Sequence, residues 1–339
     1  MKKILIYFLA FLLIFFIIPV ICTVIPNNKK TEETFADNPV PESNVEENNE
    51  PKEEKYDKVR LLHSNTNEVE ELSMSQYLYG VVSSEMPASY EIEALKAQAV
   101  VARTYTIYQM LYNSGKHENA DICDSYACCQ AWIAKEDRFD RWEAQEAENN
   151  WNKIVEAVDS TKGKVIAYEG KPINAFFHSN SGGVTESSLN IWGGIDYPYL
   201  KSVETSGEDG YTQYSSQVVL THQELLNKIK EKYSDCVIDF SQKDCVQILE
   251  YTSSGRVKTV KFGNKEISGT EARSLLGLKS TNFTYELTEK NITFYVKGYG
   301  HGVGMSQTGA DSLAKIGSNY EEIIKHFYTN VEIIEVNSL

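Results

Sequence analysis

The chain has 339 residues, with 33 Lys+Arg against 48 Asp+Glu and a formal net charge of -15. Hydrophobic residues make up 42%, enough for a packed core, which excludes wholesale disorder. The acidic balance lacks the basic footprint that phosphate backbones demand, so no nucleic acid is expected as a partner.

Met1-Lys2-Lys3 precede an apolar run from Ile4 to Ile18 that continues past Pro19 to Ile25. That run meets the ~20 residues needed to cross a bilayer core. Lys2 and Lys3 hold the start of the chain in the cytoplasm and place everything after Ile25 outside. A cleaved signal peptide is the competing reading, but the run is long for one and no small-x-small cleavage site follows. Residues 1–25 are therefore expected to be a single-pass cell-membrane anchor with the C-terminal domain extracytoplasmic. Residues 26–58 are rich in Glu, Asn and Pro and read as a disordered acidic tether. Residues 59–336 form the folded domain, with 205–290 as a candidate second lobe.

In that domain Ser73 and Gln76 form a capping box for a short helix that Pro87 ends. A long helix is expected from Glu91 to Tyr112, with Ile92, Leu95, Ala99, Ala102, Thr106, Ile107 and Met110 drifting along one face. Strands follow at Lys164 to Tyr168, Ile173 to Phe177, Val246 to Tyr251, Val257 to Phe262 and Ile292 to Val296. Two helices, Met305 to Ala314 and Tyr320 to Tyr328, close the chain around Gly317. Helices and strands are segregated, so the expected class is α+β, a helical N-terminal part packed on a mainly antiparallel β part.

Three places can carry chemistry. Glu85, at the exit of an apolar helix before Pro87, has neighbours that would retain its proton, as a general acid requires; the alternative is an exposed helix-end Glu. His117, Cys123 and Cys129, with Cys128 adjacent, have donor types suited to one tetrahedral Zn2+; a disulfide is the alternative in an exported domain. Five cysteines lie in the domain, and an odd number cannot all pair, which favours metal at this cluster. Cys236 and Cys245 are left as either a bridge or two thiols. Alternating glycines in Gly298-Tyr299-Gly300-His301-Gly302-Val303-Gly304 let backbone approach a ligand closely. Phe177-His178-Ser179-Asn180-Ser181-Gly182-Gly183 makes a similar polar turn, and His178 or His301 can equally be core residues. No P-loop lysine and no G-x-S-x-G elbow occurs, which argues against phosphate binding and serine hydrolysis.

Taken in order, Tyr77 to Pro87, Ala94 to Tyr105, Asp121 to Asp124, Cys129 to Trp132, Phe177 to Gly183, Trp192 to Gly194 and Gly298 to Gly309 resemble the stage II sporulation protein D family of lytic transglycosylases. Where relatives often carry His before the Cys-Gln pair, this chain has Cys128, and the resemblance favours Cys129 as ligand. It implies cleavage of the β-1,4 bond between N-acetylmuramic acid and N-acetylglucosamine in peptide-stripped glycan, with Glu85 as the sole acid/base. Arg103, Tyr105, His178, Ser181, His301, Ser306 and Gln307 are the candidate glycan contacts, Arg103 through a lactyl carboxylate or else in an ion pair on its own helix. The implied partners are peptidoglycan strands, a cell-wall amidase and a multi-span membrane scaffold protein, and the implied process is forespore engulfment. A non-catalytic, glycan-binding enhancer of an amidase is the rival reading, and a zinc amidase a third.

Overall fold

The computed structural model describes residues 55–339. The expected anchor and nearly all of the expected tether lie outside these residues. No helix among the described residues is long and apolar enough to cross a membrane. Folded structure begins earlier than Val59. Lys55 Nζ donates to Leu339 O at 2.8 Å, Asp57 O accepts from Met74 N, and the first strand spans Lys58–Leu62.

That strand pairs antiparallel with Val69–Ser73 and in parallel with the short Ile122–Cys123. The chain turns directly from Ser73 into the helix Met74–Glu85, with the reciprocal Ser73/Gln76 capping box in place. Its C-terminal end is set by Pro87, which forces Met86 into extended conformation (φ -126°, ψ 142°). Glu85 is therefore the last helical residue.

The helix Ile92–Tyr112 is the centre of the molecule and not an amphipathic surface helix. Buried side chains surround it, including Ala94, Leu95, Ala97, Ala99, Val100, Val101, Ala102 and Ile107. The expected single apolar face is thus corrected: a helix that is apolar all round is enclosed on all sides. Its alanines allow close packing by the helices Met74–Glu85, Ala144–Asp159, Gln307–Lys315 and Tyr320–Phe327 and by the strand Lys164–Tyr168.

Lys164–Tyr168 is the middle of a three-stranded sheet, between Glu332–Glu335 and Lys171–Pro172. The expected strand Ile173 to Phe177 does not form as one piece. Pro172 ends one pairing, and Phe177–His178 pairs instead in parallel with Met305–Ser306. Met305 and Ser306 therefore precede the closing helix, which spans Gln307–Lys315.

A second hydrophobic cluster is built from Leu225, Ile229, Val260, Phe262, Ala272, Leu276, Phe283, Ile292 and Phe294, among others. It lies under two antiparallel sheets, one of Ser215–Thr221, Asn291–Lys297 and Asn282–Leu287, the other of Val246–Tyr251, Val257–Phe262 and Lys265–Ser268. The helices His222–Lys230 and Gly269–Leu276 cover it. Cys236 and Cys245 are buried in this cluster as free thiols. The architecture as a whole is mixed α+β with several antiparallel sheets.

Gly80 shows how tightly the first helix is packed. A Cβ there would meet Trp132 Nε1 at 2.2 Å and Ile133 O at 2.7 Å. Gly80→Ala gains up to about 1 kcal/mol of helix propensity, but overpacking of this kind costs typically about 1–3 kcal/mol. A net loss of stability is expected in urea unfolding; a variant more stable than the parent would mean that the 131–133 segment yields easily.

Candidate functional site

A cleft of about 850 Å³ is lined by Glu85, Tyr105, Cys128, Cys129, Ala131, Phe176, His178, Trp192, Arg273, Tyr299, His301 and Gln307, among others. Elements distant in sequence thus meet around one carboxyl. Glu85 is the one carboxyl among the described lining residues of this cleft. It also borders a second depression of about 470 Å³, where Trp142, Arg138 and the exposed Glu146 stand.

Glu85 Oε1 accepts from Ala131 N at 2.8 Å and Oε2 from Gln307 Nε2 at 3.2 Å. Burial raises its pKa, and these two neutral donors oppose the rise without reversing it. No cation acts on it. Glu186, by contrast, is buried away from the lining, where Ser254 Oγ, Asn190 Nδ2 and Ser187 N donate to it. Although burial alone would raise its pKa, these bonds hold it below the usual value, so it is a poor proton donor.

The segment beside Glu85 connects it to the cysteine cluster. Cys128 and Cys129 are followed by Gln130, whose buried Nε2 donates to Tyr77 Oη at 2.8 Å and Thr106 Oγ1 at 2.9 Å. Ala131 then turns its N–H to Glu85. His117, Cys123, Cys128 and Cys129 place ligand atoms within 4.8 Å of one another. His117 Nε2 lies 3.2 Å from Cys129 Sγ and 3.8 Å from Cys128 Sγ, and the two sulfurs are 3.9 Å apart. A tetrahedral zinc with bonds of about 2.3 Å to sulfur has sulfur–sulfur edges of about 3.8 Å. The donor set fits, with the sulfurs of both Cys128 and Cys129 within reach of such a site. Lys116 Nζ, 3.6 Å from Cys129 Sγ, would offset the excess negative charge of three thiolates on a dication. The cluster can hold a metal ion.

His178 and His301 stand side by side in the wall, ring centroids 5.7 Å apart. Burial pushes His178 down to about 3, with the Arg256 guanidinium adding to the effect. Burial likewise pushes His301 well down, followed by the influence of His178. Both are neutral at physiological pH. With Nδ1–H of His178 assigned as donor to Val303 O at 3.2 Å, its buried Nε2 is an acceptor without a protein partner. Tyr126, Trp192 and Tyr299 add exposed aromatic rings to the lining.

Three expected contacts are corrected. Arg103, on the central helix, is buried and donates to the carbonyls of Thr161, Lys164 and Val158, satisfying backbone at a helix end. Ser181 and Ser306 are fully buried and donate to the Glu208 carboxylate. Glu208 also accepts from Ser181 N and Gly183 N, both at 3.1 Å, from Thr205 Oγ1 at 2.8 Å and from Thr308 Oγ1 at 3.1 Å. It ties the 177–183 turn to the 298–309 loop. Nothing local in Gly207-Glu208-Asp209-Gly210 marks this residue, because its partners come from elsewhere in the chain. The alternating glycines serve the same junction: a Cβ on Gly304 (φ +72°) would meet Phe176 O at 1.9 Å, and one on Gly300 (φ +114°) would meet His178 Cβ at 2.8 Å. Their close approach is to the protein's own backbone and side chains.

The family model SpoIID, described as stage II sporulation protein, matches residues 62–168. Stage II sporulation protein D of Bacillus amyloliquefaciens is 35% identical over 282 residues, 83% of this chain and 79% of that protein. The protein of the same name from Bacillus subtilis is 35% identical over 271 residues, 80% of this chain and 77% of that one. A Bacillus subtilis protein named amidase enhancer is 30% identical over 299 residues, 74% of this chain and 39% of its own length.

A raised carboxyl pKa has a stability consequence. The folded state retains a proton that the unfolded state releases above about pH 4.3, so Glu85 makes stability fall as pH rises from there through its folded pKa. Glu85→Gln removes this loss. Its melting temperature should match the parent near pH 4 and exceed it increasingly toward pH 8; a constant difference across that range would mean that Glu85 is ionised in the native state.

Proposed function

The chain belongs to the stage II sporulation protein D family, and on that premise we propose that it is a peptidoglycan lytic transglycosylase. Its cleft would cut the N-acetylmuramic acid–β-1,4–N-acetylglucosamine bond of peptide-stripped glycan during forespore engulfment. The observation that carries this reading is a single carboxyl, desolvated and free of cations, at the meeting point of two depressions. Ordinary glycosidases use a pair of carboxyls about 5–9.5 Å apart. A lone protonated carboxyl suffices where the substrate supplies its own nucleophile.

Glu85-COOH gives its proton to the glycosidic oxygen as the C1–O bond breaks and charge spreads over C1 and the ring oxygen. The carboxylate left behind takes the proton of the muramic acid 6-hydroxyl while O6 closes on C1. The proton count balances, no water is consumed, and the product end is a 1,6-anhydro sugar. Ala131 N–H and the Gln307 amide steady the carboxylate in the second half of the cycle. His178 and His301, neutral and weakly basic, bind hydroxyls and leave proton transfer to Glu85. Gln307 and Tyr105 complete the walls.

His117, Cys123, Cys128 and Cys129 would hold one zinc ion, whose contribution is order in the loop between the central helix and Ala131. That loop carries a Glu85 ligand, so loss of the metal would act on catalysis through position. The anchor proposed for residues 1–25 would hold the domain against the outer face of a membrane, where an amidase strips the glycan and a multi-span scaffold gathers both. The relative named amidase enhancer supports a second reading, a glycan-binding protein that promotes an amidase without cutting.

Mass spectrometry of digested peptide-free glycan separates these readings. New 1,6-anhydro-muramyl ends are expected, and Glu85→Gln should lower their formation by about 10²–10⁴-fold or more, with Glu332→Gln, exposed and outside both depressions, as a control near wild type. Glycan bound but uncut would favour the enhancer role, and near-parental turnover by Glu85→Gln would remove Glu85 from the mechanism. For the metal, elemental analysis should find roughly one equivalent of zinc in the reduced protein, lost in Cys129→Ser together with a lower melting temperature. Less than about a tenth of an equivalent in the parent would reject the site.

A further inference from the structure

The acid/base chemistry leaves one charged group of the cleft unused. Arg273 extends from the last turn of the helix Gly269–Leu276 into the cleft wall. Among the described residues, no carboxylate pairs with its guanidinium and no hydrogen bond engages it. Ion pairing is the alternative that other cations of this chain take. Lys96, Lys201, Lys258, Lys265, Lys315 and Arg60 all reach an Asp or Glu within 3.1 Å. An acidic protein has carboxylates to spare, yet the wall around Arg273 is kept clear of them.

Its surroundings are arranged for an incoming anion. Partial burial works against the Arg273 charge, and a half-buried guanidinium gains most from a partner that brings both lone pairs and negative charge. Behind it, Arg256 is buried with Nη2 donating to Ser181 O at 2.6 Å and to Val184 O at 3.1 Å, while Nε and Nη1 have no partner. Both guanidiniums act on His178 and His301, so this end of the cleft is positive. Burial and two neutral donors alone act on Glu85. The cleft thus holds a cation and a proton donor that do not act on each other.

Muramic acid carries a lactyl group, and its carboxyl is an amide while a stem peptide is attached. Removal of the peptide exposes a carboxylate at that position. We infer that Arg273 is the anion subsite of the cleft, binding the free lactyl carboxylate of muramic acid by a two-point guanidinium contact and thereby selecting peptide-stripped glycan. The inference rests on reading the cleft as a glycan site, and it is independent of whether the bond is cut. It also places substrate selection on the second hydrophobic cluster, since Arg273 belongs to the helix that covers it.

The test is binding calorimetry on the Glu85→Gln protein, in which turnover is expected to be slowed by about 10²-fold or more. The probes are peptide-free glycan oligosaccharides and the same oligosaccharides with their lactyl carboxyls converted to methylamides by carbodiimide and methylamine. A charge-assisted hydrogen-bonded contact corresponds to about 10- to 100-fold in affinity, and the acid form should bind better by that factor. Adding Arg273→Gln should weaken the acid form alone until the two probes are equal. Adding Arg273→Lys should keep part of the preference, because charge remains but the fork is lost. Circular dichroism and melting temperature confirm that each variant is folded. A preference that survives Arg273→Gln in folded protein, or equal binding of both probes by the Glu85→Gln protein, overturns the inference. Binding of neither probe removes the glycan reading of the cleft and this subsite with it.

Discussion

The carboxylate of Glu208 is the constraint on which the cleft depends. It is buried, and a buried charge is tolerable only when its lone pairs are filled by donors. Those donors are Ser181, Gly183, Thr205, Ser306 and Thr308, so satisfying one group fixes two loops against each other. His178 sits at one end of this junction, and His301 and Gln307 at the other. The glycines at 300 and 304 allow the loops to touch, and Glu208 holds them there. Hydroxyls that look like ligand contacts are spent on internal order.

Electrostatics in the cleft follow from that order. Close packing desolvates the two histidines, which keeps both neutral, and the nearby arginines add to the effect. Across the cleft, Glu85 is desolvated with no cation to stabilise its charge, so it favours the protonated form. Proton-transfer capacity is concentrated in one group. The helix geometry that achieves this is simple: Pro87 ends the helix at Glu85, and the side chain then meets the backbone of Ala131 from a different part of the chain.

The loop that supplies Ala131 has little apolar burial of its own. Gln130 ties it to Tyr77 and Thr106, and the His/Cys cluster gathers its two ends. Metal coordination suits such a segment, because it replaces a core that the loop is too short to form. The cleft's far wall has a different support, the second hydrophobic cluster, which carries Arg273 on its covering helix.

Local rules in the amino-acid sequence determined the capping box at Ser73, the helix end at Pro87, the long alanine-rich helix and most strands near Val246, Val257 and Ile292. They also brought Glu85, the cysteine cluster and both His-bearing turns into view, since each has a compositional or spacing signature. The helix Ala144–Asp159 was not among the expected elements, although Ala147, Trp151, Ile154 and Val158 stand at helical spacing. Tertiary structure alone decided which polar residues face the cleft. Arg103, Ser181 and Ser306 were drawn inward because buried carbonyls and the Glu208 carboxylate needed donors, and Arg273 was left facing open space because no acid was brought near it. Such choices depend on partners tens to hundreds of positions away, and no local pattern encodes the satisfaction of a hydrogen bond made only when the chain has folded.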